Sequence, residues 1–134
     1  MKIQNKRFVY LISPTKITDN TFFKYLELVL KSKKVSFFQL RLKNEKLSKK
    51  IRISKRIIKI CRKYKVKFLV NDDAYLAKHL NADGCHLGQN DMSIHKARKL
   101  IGDKIIGITC HNSIKLAKVA LRNKADYIAF GAFY

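Results

Sequence analysis

With 134 residues, nearly half of them apolar, the chain has the length of one domain and enough hydrophobic material for a real core. A formal charge of +21 invites a nucleic-acid reading, but the cations are spread along every predicted helix and lack the interleaved aromatics on which single strands stack, so no specific nucleic-acid partner is expected. No apolar run approaches the ~18 residues a membrane span needs. Three scattered cysteines, Cys61, Cys85 and Cys110, without a C-x-x-C spacing, fit a reduced, cytoplasmic setting rather than a disulfide framework.

From the start of the chain, apolar strand-like runs alternate with amphipathic stretches almost without pause. The run-up from Met1 to Arg7 leads only into Phe8-Val9-Tyr10-Leu11-Ile12 and then Ser13-Pro14, which reads as a strand and not as a signal peptide. Strands are expected over 7–12, 35–42, 67–71, 84–87, 105–109 and 127–130, with helices between them. Such alternation implies parallel strands in an α/β fold. The second helix should bury Leu47, Ile51, Ser54, Ile57, Ile58, Cys61 and Tyr64 on one face, leaving Lys49, Lys50, Arg52, Lys55, Arg56, Lys59 and Lys63 mostly in solvent. Its basic face is read as solvated, so no membrane partner is implied. Ser93 and Asn112 sit where N-caps belong, and Gly102 where a helix stops.

The second strand, Ser36-Phe37-Phe38-Gln39-Leu40-Arg41-Leu42-Lys43, separates two kinds of side chain. Gln39, Arg41 and Lys43 share one face; Phe38, Leu40 and Leu42 share the other. An open doubly wound sheet would leave both faces apolar, so the polar face argues for the mouth of a closed barrel. Two cations two residues apart stand roughly 6 to 7 Å from each other at ~3.3 Å per residue, suited to adjacent phosphates of a diphosphate.

The third and fourth strands end in carboxylates: Lys67-Phe68-Leu69-Val70-Asn71-Asp72 and, after a helix over 74–80, Gly84-Cys85-His86-Leu87-Gly88-Gln89-Asn90-Asp91. As parallel neighbours they would bring Asp72 and Asp91 to one rim. There the pair can hold Mg²⁺, which takes one or two protein carboxylates plus substrate phosphate oxygens; either residue alone has the simpler role of capping the following helix. His86, inside its strand, reads as a packed and hydrogen-bonded residue rather than a ligand. At the fifth strand's exit, Gly107-Ile108-Thr109-Cys110-His111-Asn112 would present the Thr109 hydroxyl to an anion at the next helix's N-terminus, with His111 either a proton-transfer group or a polar neighbour. A faint repeat, Ala82-Asp83 to Gly88 and Ala125-Asp126 to Gly131, has an offset of 43 residues. Gly88 and Gly131 would let backbone N–H groups approach a phosphate, or simply make tight turns.

Together these segments resemble the thiamine phosphate synthase family, over most of the chain from Tyr10 to Gly131. Gln39-Leu40-Arg41-Leu42-Lys43 looks like its Q-x-R-x-K, Asn71-Asp72 like its N-D pair, the run from Gly84 to Asp91 like its G-x-H-x-G-Q-x-D, and Ala125-Asp126-Tyr127 to Gly131 like its A-D-Y-x-x-x-G. The resemblance implies a (β/α)8 TIM barrel of which about six βα units are present, forming a single partial domain over 1–134. It also implies that hydroxymethylpyrimidine diphosphate is joined to thiazole phosphate with Mg²⁺, releasing pyrophosphate. Gln39, Arg41, Lys43, Asn71 and Thr109 would hold the pyrimidine diphosphate, with Thr109, Lys43 and Arg41 acting on the leaving group, and Asp72 and Asp91 would bind the metal.

Ser13-Pro14 stands where the family often has an acidic residue, and the sequence stops at Tyr134, just where the family's P-T-x-T-K segment and then its last two strands would follow. A whole barrel runs ~200 residues or more, so a C-terminally truncated synthase is expected, with exposed strand edges open to pairing in a homo-oligomer. The alternatives are a thiazole tautomerase-like paralogue using His111, and an inactive fragment that binds anions through charge alone.

Overall fold

The computed structural model describes residues 7–133; residues 1–6, read above as the approach to the first strand, and residue 134 lie outside the described part. The chain divides into two compact units, Met1–Phe68 and Leu69–Tyr134. Six strands alternate with five helices, and the strand pairs within each unit are parallel, as the α/β reading requires. Among the described residues no helix is long and apolar enough to cross a membrane.

The first unit holds β1 (Val9–Ile12), α1 (Thr21–Lys31), β2 (Val35–Leu40), α2 (Leu47–Lys63) and the start of β3 (Lys67–Asn71). β1 pairs with β2 through Tyr10 to Phe37, Leu11 to Phe38 and Ile12 to Gln39, after an irregularity between Val9 and Tyr10. α1 buries Phe23, Leu26 and Leu30, the i, i+3, i+7 spacing of one helical face. Phe38 is fully buried, its ring stacked on Phe68 at 6.2 Å, and Leu40 and Leu42 are buried with it, so the apolar face of the second strand is as expected.

Two boundaries and one face differ from expectation. β1 starts at Val9, not at Arg7, and β2 stops at Leu40. Beyond Leu40 the backbone turns to the loop after β1: Arg41 N–H donates to Ser13 Oγ at 2.8 Å and Lys43 N–H to the Thr15 carbonyl at 3.0 Å. On α2 the buried residues are Ile53, Ser54, Ile57, Ile58 and Cys61. Leu47, placed on that face from the sequence, is 60% exposed, because the helix's first turn runs out into solvent. Ile53, one turn before Ile57, takes its place. Burying a side chain such as Ile57 contributes about 1.5–3 kcal/mol.

The second unit continues β3 and adds α3 (Ala74–Leu80), β4 (Gly84–Leu87), α4 (Ile94–Ile101), β5 (Ile105–Thr109), α5 (Ile114–Arg122) and β6 (Tyr127–Ala129). β3 pairs with β4, β4 with β5 and β5 with β6, each in parallel. The middle strands are buried almost throughout, which is why they read as continuous apolar runs. A Cβ on Gly84 would lie 2.0 Å from the Ile105 carbonyl oxygen, so only glycine permits that pairing distance. α3 ends in left-handed Asn81 and α4 at Gly102, where φ is +62°. The N-cap of α5 is Ser113, not Asn112: Ser113 Oγ accepts from Leu116 N–H at 3.1 Å. β6 stops at Ala129, one residue short of the expected end, where the Ala129 carbonyl accepts from Cys110 N–H.

Candidate functional site

In the second unit one row of the sheet carries the polar residues. Asn71 is in register with His86, His86 with Gly107, and Gly107 with Tyr127, so their side-chain positions share a face. Thr109, two residues past Gly107, shares it too. His86 is 8% exposed and spans the row: its Nδ1 lies 2.7 Å from the Tyr127 hydroxyl and its Nε2 2.7 Å from the Thr109 hydroxyl. The His86 and Tyr127 rings stack at 5.5 Å. Burial pushes the His86 pKa below its ordinary value, a shift that the Asp72 carboxylate partly opposes. His86 is thus the packed, hydrogen-bonded residue that its strand position suggested.

Tyr127, in the A-D-Y-x-x-x-G run, has no role that the sequence pattern assigns, and the row supplies one. A Cβ on Gly107 would meet the Tyr127 ring at 1.9 Å. Glycine at 107 is therefore the space that lets Tyr127 reach His86. The signal in the sequence was a glycine inside an otherwise β-branched strand, a mark of close approach by another group.

At the strand exits, Asp72 follows β3 in the left-handed region at φ +67°, and its N–H donates to the His86 carbonyl at 2.7 Å. Non-glycine residues held there store strain of a kind that gathers at functional sites. The helix-capping role falls to its neighbour: Asp73 Oδ1 accepts from Leu76 N–H at 2.9 Å. Asp91 likewise does not cap α4, which Ser93 caps through Lys96 N–H. One Asp91 oxygen instead accepts from Gly88 N–H at 2.7 Å, at the exit of β4. Both carboxylates therefore stand at the exits of adjacent strands without capping the helices that follow, Asp91 being engaged by the Gly88 turn.

Among the described residues no three His, Cys, Asp or Glu side chains gather into a metal cage. Two hard oxygen donors at neighbouring exits suit an ion that keeps waters and takes phosphate oxygens, and they fit Mg²⁺ in that sense. The glycine N–H groups are engaged within the chain: Gly88 by Asp91 in a tight turn, and Gly131 by the His111 carbonyl at 2.9 Å across from the exit of β5. His111 is exposed at φ +50°, and Gln89 Nε2 donates to the Thr109 carbonyl at 2.7 Å.

In the first unit, Gln39 is buried and its Nε2 donates to the Tyr10 hydroxyl at 3.0 Å. Its strand partner's loop then holds the chain beyond it, Ser13 N–H donating to the Gln39 carbonyl at 2.9 Å. Arg41 is exposed and Lys43 half-buried just past the end of β2. Of the three, only Gln39 lies within β2; Arg41 and Lys43 follow in the loop beyond Leu40, so the strand does not carry all three on one face.

A family model described as thiamine monophosphate synthase matches residues 9–134. The chain is 67% identical over 130 residues to the thiamine-phosphate synthase of Pelagibacter ubique, covering 97% of this chain and 63% of that protein. With the thiamine-phosphate synthase of Saccharophagus degradans the identity is 41% over 133 residues, covering 97% and 61%. Among solved structures, a thiamine phosphate pyrophosphorylase from Pyrococcus furiosus superposes with a TM-score of 0.83 at 27% identity, over 95% of this chain and 61% of that one. The chain spans less than two thirds of the length of these relatives.

Proposed function

Because this chain belongs to the thiamine monophosphate synthase family, we propose that it carries part of the machinery joining hydroxymethylpyrimidine diphosphate to thiazole phosphate, with loss of pyrophosphate and formation of thiamine phosphate. The observation that carries this reading is the pair Asp72 and Asp91 at adjacent strand exits, with Asp73 and Ser93 serving as the helix caps.

In the proposed reaction the pyrimidine methylene–oxygen bond breaks, negative charge builds on the departing diphosphate, and the thiazole nitrogen forms the new bond to that methylene. The protein's task is then electrostatic, and no nucleophilic side chain is required. Arg41 and Lys43 grip the diphosphate, Gln39 and Asn71 orient the pyrimidine, and Thr109 donates its hydroxyl hydrogen to the leaving group. Asp72 and Asp91 hold Mg²⁺, which when bound neutralises part of the charge on the diphosphate. A cytoplasmic setting goes with this reading, supported by three buried cysteines that form no disulfide. Retention of both aspartates favours it over a tautomerase relying on His111.

Inorganic pyrophosphate titrated into the chain with and without Mg²⁺ tests the proposal. Binding should need the metal and should weaken about tenfold or more in Asp72→Asn and in Asp91→Asn. Affinity that survives both substitutions and chelation would leave only charge-driven anion binding. With both substrates and Mg²⁺, appearance of thiamine phosphate is the expected result for the activity itself.

A further inference from the structure

We propose that Tyr127 and His86 form a positioning relay that fixes one tautomer of His86 and thereby turns the Thr109 hydroxyl hydrogen outward, toward an anion at the exit of β5. The identity of that anion as a diphosphate rests on the synthase reading above; the relay itself does not. Its basis is a row of three side chains joined by two short hydrogen bonds, His86 Nδ1 to Tyr127 and His86 Nε2 to Thr109, both 2.7 Å.

A neutral imidazole has one donor nitrogen and one acceptor nitrogen, so the two bonds must run in opposite senses. His86 is buried with a hydroxyl at each ring nitrogen, surroundings that suit a neutral imidazole. Both flanking groups are hydroxyls, each able to donate or accept, and the choice between the two chain directions falls to their relative acidity. A phenol, with a pKa near 10, is a far stronger acid than an aliphatic alcohol and is the better donor. Tyr127 therefore donates to Nδ1, the proton of the ring sits on Nε2, and Nε2–H donates to Thr109 Oγ. The Thr109 oxygen is then occupied as an acceptor, and its own hydrogen is left to point at a ligand.

The opposite direction would give the opposite site. With the proton on Nδ1, Thr109 would spend its hydrogen on Nε2 and face the exit with lone pairs only, which repel an anion. The fold fixes the ring that donates: Gly107, between His86 and Tyr127 in register, leaves the gap that the Tyr127 ring fills. Tyr127→Phe keeps the ring and removes only the donor.

Two measurements test the relay. In the ¹⁵N-histidine-labelled chain, long-range proton–nitrogen correlations should show His86 protonated at Nε2, with Nδ1 an acceptor, and Tyr127→Phe should mix the tautomers. A wild-type His86 protonated at Nδ1 overturns the proposal. Pyrophosphate affinity in Mg²⁺ should fall about threefold to tenfold in Tyr127→Phe and similarly in Thr109→Val, with Thr109→Ser near wild type. The double variant should bind no worse than Thr109→Val alone, because Tyr127 acts only through that hydroxyl. Additive losses would make Tyr127 a merely structural residue and sink the relay. Should the wild-type chain bind no pyrophosphate, the synthase reading fails, and the His86 tautomer decides the relay by itself.

Discussion

The two units are built from different materials. All five glycines and all four histidines lie beyond Phe68, and the first unit has neither. Their helices also begin differently. α2 starts at Lys46 without a side-chain cap, and at α1 Asn20 makes none and only Asp19 Oδ1 reaches the Thr21 N–H at 2.9 Å, whereas α3, α4 and α5 are each capped at the N-cap position by the side chain of Asp73, Ser93 or Ser113. In the first unit the polar groups tie one helix to the other: Asn20 Oδ1 accepts from Arg56 at 2.9 Å, Arg56 lies over the Phe23 ring, and Lys63 pairs with Glu27. The second unit adds local caps at each helix start, and its longer polar ties run from Arg98 to Asp126 and from Lys104 to Asn81. Close backbone approach and local capping leave less slack there, which suits the unit that holds Asp72, His86, Asp91 and Thr109.

The largest expected effect breaks the close packing that marks the second unit. Gly84→Ala places a methyl 2.0 Å from the Ile105 carbonyl oxygen, a backbone atom that cannot rotate away. A loss of about 3 kcal/mol or more in urea unfolding is expected, at the top of the range for overpacked sites. Gly107→Ala meets a side chain instead, and Tyr127 can move at the expense of its bond to His86. The expected loss is smaller, and it should come with a changed His86 resonance. Gly102→Ala, with open space around it but φ at +62° and ψ at −131°, should lose about 1–3 kcal/mol from backbone strain alone. Equal losses at all three positions would mean that the close approaches carry no special weight.

A second difference is sensitivity to acid. Burial lowers the native pKa of His86 below its ordinary 6.5, so between the two values the unfolded chain binds the proton more readily. Stability therefore rises with pH through that window and falls as pH drops below about 6.5. A single proton limits the slope to about 1.4 kcal/mol per pH unit. Hydrogen exchange followed from about pH 7 to pH 5 should show protection falling in the second unit and holding in the first. His86→Gln should flatten the dependence; an unchanged slope would place its origin in another group.

How much of this could be read in advance depended on how local the cause was. β3, α3, β4 and β5 have the bounds expected from apolar runs set between turn residues, because burial on both faces and nearby caps are written in adjacent positions. The end of β2 was not legible, since what stops it is Ser13, whose hydroxyl takes the Arg41 N–H across 28 residues. The exposure of Leu47 was not legible because a leucine in a helix's first turn looks the same whether or not anything packs on it. In the site, the two aspartates at strand exits were visible as motif and pattern together. The bond from His86 to Tyr127 joins residues 41 apart and depends on the register of β4, β5 and β6, which alternation of polarity does not encode.

The smallest effect sharpens the contrast in helix starts. Asp73→Ala, Ser93→Ala and Ser113→Ala each remove an oxygen that accepts from a first-turn N–H, at 2.9, 3.2 and 3.1 Å respectively. Each should cost about 1 kcal/mol, the usual loss for such a cap. Asn20→Ala and Lys46→Ala remove no cap bond from their own helices and should stay within about 0.5 kcal/mol, even though the Asn20 bond to Arg56 is lost at an exposed site. Among the three caps, Asp73 has a further part in the comparison. Its neighbour Asp72 adopts φ +67° immediately before the capped turn, so releasing the cap also releases the residue that holds Asp72 at the strand exit. Asp73→Ala should therefore weaken Mg²⁺-dependent pyrophosphate binding, while Ser113→Ala lowers stability by a similar amount and leaves that binding nearly unchanged. If the two variants weaken binding alike, the cap at Asp73 contributes stability alone, and Asp72 keeps its place without it.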